Sequence, residues 1–306
     1  MSGTPIALVK GSVRRVNGPV VDVVGLDGVA MFDVVAIGEA GLAGEIVSID
    51  GDVATAQVYE YDGGVAPGDR VTSRGEQLSI TLGPGLLGHV FDGILRPLEP
   101  EVVWLAAGRS DTAAAETTWH FTPAATVGEH VAGGALLGRI TEGEHFEHRV
   151  LVPPGIEGVL TQLAPESDAR ADQPIARVGN VDVSMSHRWP VRVPRPARAR
   201  DREPRLLRTG QRVLDLLYPI VRGSSASVPG GFGTGKTLLQ QQIAKWCDAE
   251  VIVYVGCGER GNEMIDVLDD LAKLRDPRTG GLLRERTVCI ANTSNMPVMA
   301  REASIY

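Results

Sequence analysis

The stretch VPGGFGTGKT, residues 228–237, limits what this chain can fold into more than any other. Gly230-x-x-x-x-Gly235-Lys236-Thr237 fits the pattern G-x-x-x-x-G-K-[ST] of a loop that wraps phosphate. Glycines at Gly230, Gly231, Gly233 and Gly235 let backbone N–H groups turn inward around an anion with no Cβ in the way. Thr234 completes the loop, Lys236 puts a positive charge on the outer phosphates, and the Thr237 hydroxyl ligates Mg²⁺. Such a loop needs a strand before it and a helix after it, whose N-terminus faces the anion. Ala226–Val228 reads as that strand, and residues 236–247 as a helix burying Leu239, Ile243 and Cys247. A chance match is the alternative; the strand–loop–helix context argues against it.

From about residue 206 the pattern is α/β throughout. VIVYV (251–255) is apolar on both faces, as a central parallel strand is. Glu259 follows it, on the side where open parallel sheets bind ligands. A carboxylate there orients and polarises an attacking water, and Arg260 beside it neutralises charge on a terminal phosphate. An exposed Glu-Arg turn with no duty is the alternative; the glycine loop one βα unit earlier favours function. Met264, Val267, Leu268 and Leu271 fall on one helical stripe, Thr287–Ala291 is a third strand, and a further helix starts near Pro297. A strand ending in the Mg²⁺-supporting Asp is absent, because VIVYV runs into Gly256 and TVCIA into Asn292. Phe232 is unusual inside a glycine loop, where a bulky ring is expected to reshape the loop or meet a neighbour.

Upstream the chain is strand-rich. Apolar clusters at Val20–Val24, Glu45–Ile49 and Val53–Tyr59, with the hairpin signal Asp50-Gly51, predict a small β-barrel over 11–72. Residues 81–98 read as a connector packed on a larger domain, and 100–186 as further strands and turns. LVPPGIEGVL (151–160) is no helix interior, since its prolines lack amide donors. VRVPRPARARDREPR (191–205) carries six arginines against Asp201 and Glu203. A nucleic-acid patch is one reading; a solvated, proline-stiffened linker is favoured, because no aromatic residue interleaves the charges.

A net charge of −8 argues against a protein built to grip nucleic acid. No run of about 18 apolar residues is present, and the first residues lack a signal-peptide core, so a cytoplasmic chain without membrane insertion is expected. Cys247, Cys257 and Cys289 follow no metal-ligand spacing and read as reduced thiols, with Cys247 and Cys289 in cores. His145-x-x-His148 has metal-like spacing but no third ligand, and reads as a loop pair.

These residues together resemble the catalytic A subunit of the archaeal/vacuolar-type rotary ATPases, from about residue 11 to Tyr306. The likeness is carried by VPGGFGTGKT, YVGCGERGNEMIDVL (254–268), RTVCIANTSNMPVMAREASIY (286–306), GPGLLGHVFDGILRPLE (83–99), LVPPGIEGV (151–159) and WPVR (189–192). Residues 111–150 match least, and Thr234 stands where some members carry a cysteine.

The resemblance implies a multidomain β plus α/β protein. An N-terminal β-barrel (1–72) and a connector (73–107) would precede an inserted β-rich bulge domain (108–186) and an incomplete RecA-like P-loop nucleotide-binding domain (187–306). It implies ATP or ADP with Mg²⁺ held by residues 230–237, Glu259 activating water and Arg260 contacting the γ-phosphate. It also implies an alternating hexamer with B subunits, a central stalk and a membrane ion-translocating sector, the chain being peripheral to the membrane through that complex. ATP hydrolysis or synthesis would be coupled to proton or sodium transport. Family members are nearly twice as long, so an N-terminal portion inactive by itself is expected. The alternatives are another RecA-like hexameric ATPase of the type III export kind, and a non-catalytic module that joins a ring.

Overall fold

Alternating burial along the first strands closes a sheet on itself. In the computed structural model, which describes residues 8–60, 63–98, 117–143, 146–197, 199, 203–231 and 233–306, six antiparallel strands form a barrel. They are β1 (Val9–Asn17), β2 (Val20–Val24), β3 (Asp33–Ile37), β4 (Leu42–Asp50), β5 (Val53–Val58) and β6 (Arg70–Gln77), in the order β1-β2-β5-β4-β3-β6. Every second residue points inward, so Val21, Val23, Val35, Ile37, Ile46, Ala56, Val58 and Val71 fill the interior. The Asp50-Gly51 hairpin joins β4 and β5 as expected, with Asp50 opposite Val53. The last strand runs on to Gln77, past residue 72.

The segment after the barrel is more than a connector. β7 (Ser79–Leu82) is met by a strand from far along the chain, and β8 (Val90–Phe91) joins the α/β sheet, described below. Between Asp92 and Arg96 the chain makes a tight loop closed by buried charge. Arg96 Nε donates to Asp92 at 2.7 Å and its Nη1 to Glu60 of the barrel at 2.8 Å.

The inserted region is a sandwich of two four-stranded sheets. One holds β12 (Phe146–Leu151), β11 (Leu136–Glu142), β9 (Thr118–Pro123) and β14 (Ser167–Arg170). The other holds β10 (His130–Ala132), β13 (Glu157–Leu163), β15 (Pro174–Val178) and β16 (Val181–Ser184). Phe121, Leu137, Ile140 and Val150 face Leu160, Ile175, Val178 and Val183 across one apolar core. The Pro153-Pro154 turn lies between β12 and β13, as the missing amide donors require. Beyond it β17 (His187–Pro190) returns to pair with β7.

Residues 191–205 are not simply a solvated linker. Arg192 lies between the rings of Phe32 and Tyr306, each centroid 4.5 Å from its guanidinium carbon. It forks onto the buried Glu45 of the barrel at 2.6 and 3.1 Å and donates to the Tyr306 hydroxyl at 2.8 Å. A planar cation with five donors satisfies two oxygens and two aromatic faces at once, which no sequence count of charge reveals.

The α/β part begins with a small ladder, β18 (Leu206–Leu207) with β19 (Ile220–Val221), around the short α1 (Arg212–Leu217). Then follow α2 (Lys236–Trp246), β20 (Ile252–Glu259), α3 (Gly261–Lys273), a 3₁₀ turn (Leu283–Arg286), β21 (Thr287–Thr293) and α4 (Val298–Ala303). β20, β21 and β8 form a parallel sheet in that order.

Two expectations are overturned here. Ala226–Val228 is mostly exposed and joins no sheet, because no strand among the described residues lies beside it. A strand is defined by its hydrogen-bonded neighbour, and propensity alone does not supply one. β20 is not central either. Among the described residues it pairs only with β21, and Val253 is 62% exposed on its uncovered face. The other face is covered: Ile252 and Cys289 pack with Ala244, Val267, Leu271 and Leu283. The last helix starts where expected: α4 begins at Val298 with Pro297 as its N-cap.

Candidate functional site

The glycine loop is shaped by two backbone requirements. Gly235 caps α2 at φ 84°, a left-handed conformation that costs a side-chain-bearing residue strain. Gly230 is required by space: a Cβ there would stand 2.6 Å from Thr234 Oγ1. The loop is closed on its own atoms. Thr234 Oγ1 donates to the Gly231 carbonyl at 2.8 Å, and Lys236 Nζ donates to the Gly230 carbonyl. A carbonyl is a weak partner for an ammonium, so an incoming phosphate replaces it with a stronger charge-assisted bond. Gly231, Gly233, Thr234 and Gly235 are exposed, and Lys236 and Thr237 half-buried in the first turn of α2. Phe232 lies outside the described residues.

The helix behind the loop is held mainly by its far end. Ala244 and Cys247 are buried, while Leu239 and Ile243 are only half-buried, short of the expectation. Ala244 packs with Ile252 at the start of β20, and its carbonyl accepts from Arg286 just before β21. The helix therefore ends against the amino ends of the strands and starts away from them.

Glu259 is the last residue of β20, at the carboxyl end of the sheet. α3 starts immediately after, with Arg260 in extended conformation as its N-cap and exposed. The strand and helix are locked by close approach at Gly256, where a Cβ would meet Met264 Sδ at 2.2 Å. Just past β21, Ser294 N–H donates to the Glu259 carbonyl at 2.8 Å, which ties the Glu259 backbone to the end of that strand. Its side chain is not: Oε2 is buried without a hydrogen-bond partner. Burial, and then the neighbouring Glu263, push the Glu259 carboxyl above its usual range. A carboxylate that is unsatisfied and raised in pKa accepts a proton readily, which is the property of a general base.

Sequence reasoning missed other polar groups here. The side-chain amide of Asn292 is fully buried with neither atom hydrogen-bonded, and Arg301 Nε is buried without a partner. Arg301 runs beside Gly258, where a Cβ would be 3.4 Å from its Nη1, and its carbonyl accepts from Cys257 Sγ at 3.4 Å. Both residues were visible in the letters, but only the packing of α4 on β20 and β21 places them next to the Glu259 turn. The remaining candidates stay structural. Burial pushes the Cys289 thiol up to about 11, and Cys247 is buried, as core thiols are. His148 is bound to Glu142 at 3.1 Å; His145 lies outside the described residues. Among the described residues no cluster of His, Cys, Asp and Glu would hold a metal by itself. Nor is any helix long and apolar enough to cross a membrane.

Comparison with known proteins covers nearly the whole chain. Residues 13–75 match the model of the ATP synthase alpha/beta family beta-barrel domain. Residues 111–192 match the alpha/beta subunit barrel-sandwich domain, and 210–306 the nucleotide-binding domain of the same family. The A subunit of the A-type ATP synthase of Desulfurococcus sp. (strain SY) is 50% identical over 306 residues, covering 97% of this chain and 52% of that protein. Its counterpart from Methanopyrus kandleri is 47% identical over 309 residues, and the V-type ATP synthase alpha chain of Anaeromyxobacter dehalogenans 51% over 302, with the same shares covered. The chain thus spans about half the length of the curated relatives it matches.

Proposed function

Since the chain belongs to the ATP synthase alpha/beta family, along the N-terminal part of its A- and V-type members, we propose that it is part of the catalytic subunit of a rotary ATPase. In that reading the whole protein hydrolyses or makes ATP, coupled to movement of protons or sodium ions across a membrane. Its partners are B subunits alternating with it in a hexamer, a central stalk and a membrane sector. The division at residues 72, 107 and 186 belongs to the same proposal.

Each residue then has a task. Gly230, Gly231, Phe232, Gly233, Thr234 and Gly235 wrap the phosphates, Lys236 binds their outer oxygens, and the Thr237 hydroxyl is the Mg²⁺ ligand. Bound Mg²⁺ neutralises charge on the phosphate oxygens. The loop fits such a ligand: it has open space beside Gly231, Gly233 and Gly235, exposed backbone, and a lysine that among the described residues is held by one carbonyl. Glu259 orients the attacking water and takes its proton, and Arg260 meets the charge on the terminal phosphate. The observation that carries the reading is the buried, unpartnered Oε2 of Glu259 at the carboxyl end of β20.

The test is equilibrium binding of Mg²⁺-ATP to the parent chain and to Lys236→Ala. Losing a charge-assisted bond to phosphate is expected to weaken binding by about tenfold or more. Glu259→Gln is expected to bind as the parent does while abolishing turnover in the assembled enzyme. Equal binding by Lys236→Ala would overturn the assignment of the loop.

A further inference from the structure

A cleft of about 710 Å³ lies between the β7–β17 ladder and the edge of the inserted sandwich, within the size range of small-molecule sites. Leu82, Leu151 and Met185 supply apolar wall, and His148, Arg149, His187 and Arg195 supply polar groups. In a chain of net charge −8, no carboxylate among the described residues lines it. We infer that this cleft binds a small phosphorylated molecule, its phosphate held by Arg149, Arg195 and His187 and its body lying on the apolar wall.

Arg195 is already positioned for this. Its guanidinium stacks 4.5 Å from the Trp189 ring, and that ring is anchored by Nε1–H donating to the Val193 carbonyl at 2.7 Å. Arg195 Nη1 lies 2.8 Å from His187 Nε2. A guanidinium is a donor only, so Nε2 accepts and the imidazole is neutral with its proton on Nδ1. Burial, and then Arg195, push the His187 pKa below its usual value. The charged groups around the cleft are therefore Arg195 at His187, Arg149 with Glu147 at 4.0 Å, and a His148 held by Glu142 at 3.1 Å. Arg188 of the same strand is turned to Glu76 at 3.4 Å. The pairing of Arg149 with Glu147 at 4.0 Å is a surface one that an anion in the cleft would compete with, so Arg195 and His187 form the fixed part of an oxyanion site and Arg149 its adjustable part. An anion placed among them favours the protonated form of His187, so binding tightens as pH falls. Arg195 belongs to the basic run 191–205, whose charge the proposed ATP site does not use.

The test keeps the two sites apart. Phenyl phosphate and inorganic phosphate are titrated calorimetrically into the chain carrying Lys236→Ala, which weakens the glycine loop, with the parent chain as the reference. One site is expected, tighter for phenyl phosphate because of the apolar wall. Arg195→Gln and the solvent-exposed Arg149→Gln are each expected to weaken it by about tenfold, the worth of one charge-assisted bond. His187→Gln is expected to flatten the tightening between pH 8 and pH 6 relative to its parent. No binding of phenyl phosphate, or equal binding by Arg149→Gln and Arg195→Gln, overturns the proposal. Loss of binding that appears only when Lys236 is replaced also overturns it, since the site would then be the glycine loop.

Discussion

The barrel and the α/β part obey the same packing rules and reach different ends. In the barrel, alternate residues of six strands close over an interior of valine, isoleucine, leucine and alanine, and its buried carboxylate Glu45 is forked by Arg192. In the α/β part, Tyr254, Glu259, Asn292 and Arg301 keep buried polar atoms without partners. Val213, Leu216, Leu217, Tyr218, Leu238 and Ile265 stand largely in solvent there. Native proteins leave few buried polar groups unsatisfied and few large apolar patches exposed. The barrel closes its interactions on itself, and the α/β part leaves many of its own open.

That contrast predicts its own largest effect. Ile46→Ala in the closed barrel core is expected to cost about 4 kcal/mol, because the cavity has no room to collapse. Ile265→Ala on α3, whose side chain is 61% exposed, is expected to stay within about 0.5 kcal/mol. Urea denaturation of the two variants decides it, and equal losses would erase the distinction.

Next in size is the tie between the two regions. Arg192→Gln leaves the Glu45 carboxylate buried and unpaired, which is expected to cost about 3 kcal/mol, the low end for a broken buried pair because part of Arg192 faces solvent. Replacing both residues by Met is expected to recover most of the loss. A single change without measurable cost would mean that the barrel does not depend on Arg192.

The smallest effect concerns Glu259. With its pKa raised on folding, the folded chain keeps a proton that the unfolded chain has already released, across the window from the ordinary carboxylate value upward. Stability therefore falls as pH rises through that window. Glu259→Gln has no proton to release, so its stability relative to the parent is expected to be higher at pH 7.5 than at pH 4. Denaturant midpoints at both values test this, and a pH-independent difference would break it.

How far the letters reached follows the range of the interactions. The glycine loop, the α3 stripe of Met264, Val267 and Leu271, and the Asp50-Gly51 hairpin depend on neighbours a few residues away, and all were legible. The strand at Ala226–Val228 and a central β20 were not, because strand status depends on a partner that local pattern does not name. Arg192 looked like linker charge for the same reason: Glu45 and Tyr306 lie more than a hundred residues from it on either side. For the site, the residue types at Lys236 and Glu259 were readable, whereas the unpartnered Oε2 and the nearby Asn292 and Arg301 required α4 to be in place.

The parallel pairing of β8 with β21 sets an order of events during synthesis. Val90 and Phe91 leave the ribosome early, but Cys289 and Ile290, their partners, follow only about two hundred residues later. At about 5–20 residues per second, that is a wait on the order of 10–40 s. The barrel, complete at Gln77, can close well before then. Glu60, at the end of the barrel, accepts from Arg96, and Arg96 donates to Asp92, so the ties that hold the early strand to the barrel use no residue beyond Arg96. The buried charges around Arg96 thus come from the early part of the chain, next to Phe91, whereas the strand that Phe91 pairs with comes from the chain's last twenty residues.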